Sequence, residues 1–294
     1  MKGHPYLYGL IFLMIFFWSA NYVIGKVALR EFPPLLLSGV RLTMAGLIML
    51  PVYALDRRRR RGAYPQAREL RMLVILGFFG VALNQVFFVV GLGRTTVAHA
   101  SIIVSLGPVL VLLIASSMKL EKLTKRKLTG MLIAISGVVV LKVFQDTQTP
   151  AHATWFGDLF VFLSTLSFAL FTVFSKPVTH RFSSTTVNAV AYVSGAILLA
   201  PMTIWQAAAF PFSRITLTAW LAAAYMALFP SVAAYLIYYY ALTHIAASRV
   251  ASFSYLQPVF ATLMAVLILN ERLTGPVVTA GAAILAGVYI TERG

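Results

Sequence analysis

The chain has 294 residues, of which 60% are hydrophobic and only 11% charged, with a mean hydropathy of +0.86. Soluble domains carry about 25% charged residues, so a water-soluble globule is excluded and an all-α integral membrane protein is expected. The formal charge of +16 comes from 24 bases against 8 acids, placed in short runs between apolar segments; this points to membrane topology rather than nucleic acid, and zero cysteines rule out disulfides and thiolate sites.

A spanning helix needs roughly 17–25 mostly apolar residues. Ten segments qualify, at approximately 6–29, 34–55, 70–91, 97–118, 125–143, 155–178, 184–206, 217–240, 247–269 and 274–291. The first follows Lys2 but is too long for a signal-peptide core, and its "YGLIFLM" from Tyr8 is answered by "FGDLFVF" from Phe156, so it reads as a retained helix. It carries a stripe of Met14, Trp18, Asn21 and Gly25, and the second segment carries Arg41. The third holds Gly77, Asn84, Phe88 and Gly91 at helical spacing, with Gln85 adjacent. Amides inside a bilayer face protein or water, because lipid offers them no partner.

On the fourth segment Ala98, Ser101, Ser105 and Pro108 share a face, and His99 near the outer end reads as a polar lining residue ahead of a proton carrier. The polar stretch "QDTQTPAHAT" from Gln145 then separates a first half (1–146) from a second (155–294), with 147–154 as linker. Ser164, Ser167 and Phe171 recur on the sixth segment. The eighth carries Tyr235, Tyr238, Tyr239 and Tyr240, part of which fits an interfacial belt. On the ninth, Ser248, Ala251, Tyr255 and Pro258 share a stripe with Ser252 beside it. The candidate substrate pathway is thus Trp18, Asn21, Asn84, Phe88, His99, Ser101, Ser105, Ser164, Phe171, Tyr235, Tyr239, Ser252 and Tyr255. Taken alone, the serines are explained more simply by close helix packing. Lys26 reads as snorkelling outward and Arg41 as a stabiliser of helix ends, ahead of direct substrate contact.

Pro108 and Pro258 fall well past the first turn of their helices, so each should kink its helix and free the carbonyl four residues back, Val104 or Ser254. They are the candidate hinges. They also belong to a repeat: "LGPVLVLLIASSMKLEKLT" from Leu106 and "LQPVFATLMAVLILNERLT" from Leu256 agree at eight of nineteen positions, 150 residues apart. Five spans per half is an odd number, so equivalent helices run in opposite directions. With the N-terminus inside, 17 bases fall on the cytoplasmic side and 5 outside, which places both termini in the cytoplasm. Inverted repeats are a common plan of secondary transporters, with a site at the repeat interface.

Those two stretches, each continuing into a glycine-bearing final helix, resemble the two copies of the EamA domain, as do "FFWSANYVIGK" from Phe16 and Arg41 in the second span. The resemblance covers nearly the whole chain. It implies the ten-helix arrangement of the drug/metabolite transporter superfamily and a bacterial cytoplasmic-membrane exporter of small metabolites, among them amino acids, aromatic ones included.

Every acid lies in a connection or near a helix end, none at a midplane. An exporter that exchanges cations for protons usually holds a carboxylate in the membrane, so a neutral or zwitterionic substrate is expected here, bound by amides, hydroxyls and rings. No phosphate-binding G-x-x-x-x-G-K-[ST] loop, G-x-S-x-G or H-E-x-x-H occurs, which argues against primary pumping and against an enzyme. The expectation is therefore an alternating-access exporter of aromatic or large apolar amino acids, without cofactor or metal, working in the lipid bilayer and complete as a monomer. The competing readings are export of purine-like metabolites or lipophilic cationic drugs, and a non-transporting receptor or scaffold.

Overall fold

The computed structural model describes residues 5–59, 65–95, 97–145, 154–179, 181–257, 259–260 and 275–294. Among these it is helical, with no strand. The helices are α1 (Pro5–Ala28), α2 (Pro34–Arg59), α3 (Ala67–Arg94), α4 (Val97–Val104), α5 (Gly107–Ser117), α6 (Lys125–Gln145), α7 (Trp155–Thr179), α8 (Ser184–Ala208), α9 (Leu217–His244), α10 (Ala247–Ser252) and α11 (Gly275–Glu292). Six of them (α1, α2, α3, α7, α8 and α9) are long and apolar enough to cross a membrane, and Ile102–Ser117 and Val278–Glu292 are shorter apolar stretches. The outward faces carry exposed Leu47, Ile197, Trp205 and Leu221. In water such a surface would be a liability; against acyl chains it needs no covering.

The helix ends follow local chemistry. Ser183 and Thr216 cap α8 and α9, their hydroxyls accepting the amides of Thr186 at 3.2 Å and Ala219 at 3.3 Å. At the end of α5, Lys119 adopts φ 58°, and the amides of Leu120 and Lys119 donate to the carbonyls of Ala115 and Ser116, both at 2.9 Å. This left-handed closing turn reverses the chain into the Glu121 loop.

One expectation is corrected. Pro108 does not kink the middle of a helix, because the chain turns at Ser105–Leu106 and Pro108 sits in the first turn of α5. There its missing N–H is one of the amides a helix start leaves unpaired anyway. Its counterpart Pro258 lies outside the described residues, but a short 3-10 turn, Phe253–Tyr255, comes just before it.

Part of the packing pairs one half of the chain with the other. Alongside other extensive contacts, such as α5 on α7 and α3 on α8, the helices pair as α2 with α8, α3 with α7, α1 with α9, α5 with α10 and α6 with α11. Numbered by expected segments, these are pairs 2–7, 3–6, 1–8, 4–9 and 5–10. Exchanging the halves maps this set onto itself. Irregularities repeat as well: a wide π turn interrupts α3 at Phe78–Leu83 and α9 at Ala227–Ala233. The Lys26 ammonium donates to the Thr95 carbonyl at 2.8 Å, and Lys176 donates to the Ile245 carbonyl at 2.6 Å, donor and acceptor each 150 positions on. Both lysines therefore close the carbonyl end of a helix, where unpaired acceptors and the helix dipole favour a cation. Lys26 is fixed there instead of snorkelling.

Two glycines permit the closest approaches. A Cβ on Gly80 would lie 2.1 Å from the Phe171 ring, and one on Gly287 would lie 2.5 Å from the Ala134 nitrogen and the Gly130 oxygen. Without side chains at these points, α3 packs onto α7 and α11 onto α6 at near-backbone distance.

Candidate functional site

A central cavity with about 830 Å³ of free space, its mouth included, opens between the halves. Trp18 and Asn21 of α1, Arg41 of α2, Asn84, Gln85 and Phe88 of α3, and Pro108 of α5 line it from the first half. Ser164 and Phe168 of α7, Tyr235 and Tyr238 of α9, and Gln257 line it from the second.

The polar part of the wall starts from a proline. Pro230 interrupts α9 and has no N–H for the carbonyl of Met226, four residues back. The Ser231 hydroxyl donates to that carbonyl at 2.8 Å. Its oxygen lone pairs then accept from the Arg41 Nε–H at 2.9 Å and the Gln85 amide at 3.5 Å. Gln85 also donates to the Tyr192 hydroxyl at 2.6 Å. The wide turn turns the Pro230 carbonyl toward Trp18, whose indole N–H donates to it at 3.1 Å. The Asn84 amide donates to the Ser164 carbonyl at 2.8 Å and hydroxyl at 2.9 Å, and accepts from Tyr235 at 3.5 Å.

The apolar part is a ring cluster. Trp18 stands edge-on to Phe168 at 5.7 Å and to Tyr235 at 5.9 Å, with Tyr238 at 5.1 Å from Phe168. Such tilted and edge contacts suit the ring quadrupoles. Tyr22, with its ring 5.5 Å from Phe88, continues the wall.

Of the residues singled out from sequence, the cavity brings together Trp18, Asn21, Asn84, Phe88, Ser164 and Tyr235, with Pro108. Phe171 and Tyr239 are buried behind the wall, their rings 5.8 Å apart, with Phe171 also packed on Gly80. Ser105 and Ser252 are buried off the wall and spend their hydroxyls on the carbonyls of Ile102 at 2.5 Å and Arg249 at 2.8 Å. Tyr255 is fully buried. The side chains of His99 and Ser101 lie outside the described residues. Sequence reasoning placed Arg41 at helix ends, whereas it lines the cavity, and it set Gln85 aside as a neighbour. Phe168 and Gln257 were missed, although the 150-residue offset pairs Phe168 with Trp18.

Where α5 ends and α10 begins, the halves are tied together. Glu121 accepts from the Ser248 amide at 3.2 Å, from the Ser248 hydroxyl, and from the Lys127 ammonium at 3.0 Å. Burial alone pushes the Glu121 carboxyl up, but the hydrogen bonds from Ser248 and Lys127 and the Lys127 charge outweigh it, holding it below the usual carboxylate range.

Comparison with known proteins follows the geometry. A model of the EamA-like transporter family matches residues 6–143 and 155–293. An uncharacterized transporter of Archaeoglobus fulgidus is 30% identical over 285 residues, covering 96% of both chains. The uncharacterized inner membrane transporter YedA of Escherichia coli is 25% identical, over 97% of this chain and 92% of its own. A probable terminal-alkyne amino-acid exporter of Streptantibioticus cattleyicolor is 26% identical, over 96% of this chain and 91% of its own. A crystal structure shares the fold with a TM-score of 0.77 at 20% identity, covering 99% of this chain and 98% of the other.

Proposed function

The chain belongs to the EamA-like transporter family, and from that premise we propose that it exports neutral or zwitterionic amino acids with aromatic or large apolar side chains. It is a multi-pass inner-membrane transporter. On this reading ten spans form two inverted five-helix repeats, 1–146 and 155–294, with both termini cytoplasmic. The site at their interface opens to either side in turn, with the monomer as the working unit.

The observation that carries the substrate class is the cavity wall, where the described residues supply rings, amides and one arginine but no carboxylate. A lipophilic cation would meet Arg41 there with no carboxylate among the described lining residues to neutralise it, so the drug-export reading is disfavoured. The name of the Streptantibioticus cattleyicolor relative, an amino-acid exporter, agrees with the choice.

Purified protein in liposomes, challenged with labelled phenylalanine, a purine and a cationic dye, tests the reading. Phenylalanine is expected to move and the dye to be excluded. Movement of the dye without any amino acid would overturn the substrate class, and no flux of any solute would favour a receptor or scaffold. Imposed pH and voltage gradients in the same vesicles report the coupling ion.

A further inference from the structure

We propose that Arg41 is the carboxylate-binding residue of the cavity, and that Gln85 and Asn21 supply the acceptors for an ammonium group on the same substrate. The inference rests on the amino-acid reading above and sharpens it into a requirement for both charged ends.

Arg41 is 3% exposed, yet it lines the cavity. Its Nε–H is committed to Ser231. Among the described residues no carboxylate pairs with it. The six described acids are engaged elsewhere: Glu31 with Thr216, Asp56 with Ser183, Glu69 with Arg181, Glu121 with Lys127, Asp158 with Thr95 and Glu292 with Tyr8. A buried membrane cation without a counter-charge is costly, and guanidinium is the side chain whose fork matches a carboxylate with two parallel bonds. A substrate carboxylate supplies the missing charge.

The second observation is independent. The Gln85 Oε1 and Asn21 Oδ1 atoms are buried without a hydrogen-bond partner among the described residues, and both side chains line the same cavity. Buried polar atoms in native proteins are almost always paired, so two bare acceptors in one cavity mark the place of a donor. An α-ammonium is such a donor. It sits one carbon from the carboxylate, so its acceptor must neighbour the cation, and the Ser231 hydroxyl bridges Arg41 and Gln85 at 2.9 and 3.5 Å. The Trp18 and Phe168 rings are left for the side chain.

The test uses the unaltered full chain in proteoliposomes, with labelled phenylalanine, phenethylamine (no carboxylate) and 3-phenylpropionate (no ammonium). Each analogue is expected to move more slowly than phenylalanine by on the order of 100-fold or more, as when one partner of a buried, hydrogen-bonded charge pair is left unpaired. In Arg41→Met, phenylalanine flux falls to the phenethylamine rate and the preference between them disappears, while Arg41→Lys restores part of it. Equal transport of phenylalanine and phenethylamine by the unaltered chain would overturn the Arg41 assignment and leave aromatic amino-acid export standing. Arg41-dependent movement of 3-phenylpropionate with none of phenylalanine would keep the carboxylate site and sink the amino-acid reading. If none of the three moves, both fall. Because selectivity is read first on the unaltered chain, a poorly folding Arg41→Met does not decide the matter.

Discussion

Glu121 of the first half and Ser248 of the second form a double contact: the carboxylate accepts both the amide of Ser248, at 3.2 Å, and its hydroxyl. The contact ties the end of α5 to the start of α10, and Lys127 at 3.0 Å neutralises the acid from the side. In an alternating-access cycle this is a tie that must break when the Glu121 end of the bundle opens.

Glu121→Gln is therefore expected to lower thermal stability by about 1–3 kcal/mol, since it removes a charge-assisted acceptor and strands Lys127. The pH dependence follows from the depressed carboxyl. Its stabilisation is fully present above the unfolded value, about 4.3, and is lost as pH falls through the lower folded value. Melting curves in detergent between pH 7 and pH 3 should show the parent and Glu121→Gln converging only in the acid range. A gap that stays constant to pH 3 would show that the charge of the carboxylate contributes nothing.

Lys26→Met and Lys176→Met each leave a helix-end carbonyl without its cation, at Thr95 and Ile245 respectively. Each should cost about 1 kcal/mol, and the two should add because they lie in different halves. Unfolding of both single variants and the double variant checks this. One costly lysine beside one silent one would mean that the repeated bond has kept its energy in one half only.

Gly287→Leu should sharply reduce folded yield. The first side-chain carbon would already meet the α6 backbone at 2.5 Å, and overpacking of this kind costs about 1–3 kcal/mol or more. Gly281→Ala on the same helix is the control: among the described residues nothing lies within 4 Å of its added carbon, and helix propensity favours alanine by about 1 kcal/mol. Equal yields from the two would refute the close α6–α11 seam.

Lys119→Gly is expected to stabilise. A non-glycine residue at φ 58° carries a penalty of roughly 1–2 kcal/mol, against about 0.4–1 kcal/mol of extra freedom that glycine gives the unfolded chain. The left-handed term wins by on the order of 0.5 kcal/mol. A small rise in melting temperature with unchanged transport would bear this out, and a fall would show that the lysine side chain matters to the turn.

Much of the helix layout could be read from sequence, because apolar length and polar punctuation are local. The expected start at 155 meets α7 at Trp155, and 184 meets α8 at Ser184. Site assignments depended on which face of each helix turns inward, and in helices apolar all round no stripe announces that. Phe171 and Tyr239 had suitable spacing but ended behind the wall. Arg41 was misplaced because what positions it, Ser231, is 190 residues away and reaches it only through a wide turn set by Pro230. Pro108 was misjudged because Gly107–Pro108, which marks the turn and starts the next helix, lies inside one long apolar segment and was read as a kink within it.

The most direct measurement of the central claim, transport by alternate opening of the cavity between the halves, uses the absence of cysteine in the chain. A Glu121→Cys/Ser248→Cys variant in proteoliposomes can be cross-linked by oxidation on an otherwise thiol-free background, then released with a reductant. Phenylalanine flux is predicted to stop on oxidation and to return on reduction of the same vesicles. Undiminished flux with the cross-link complete would contradict the account.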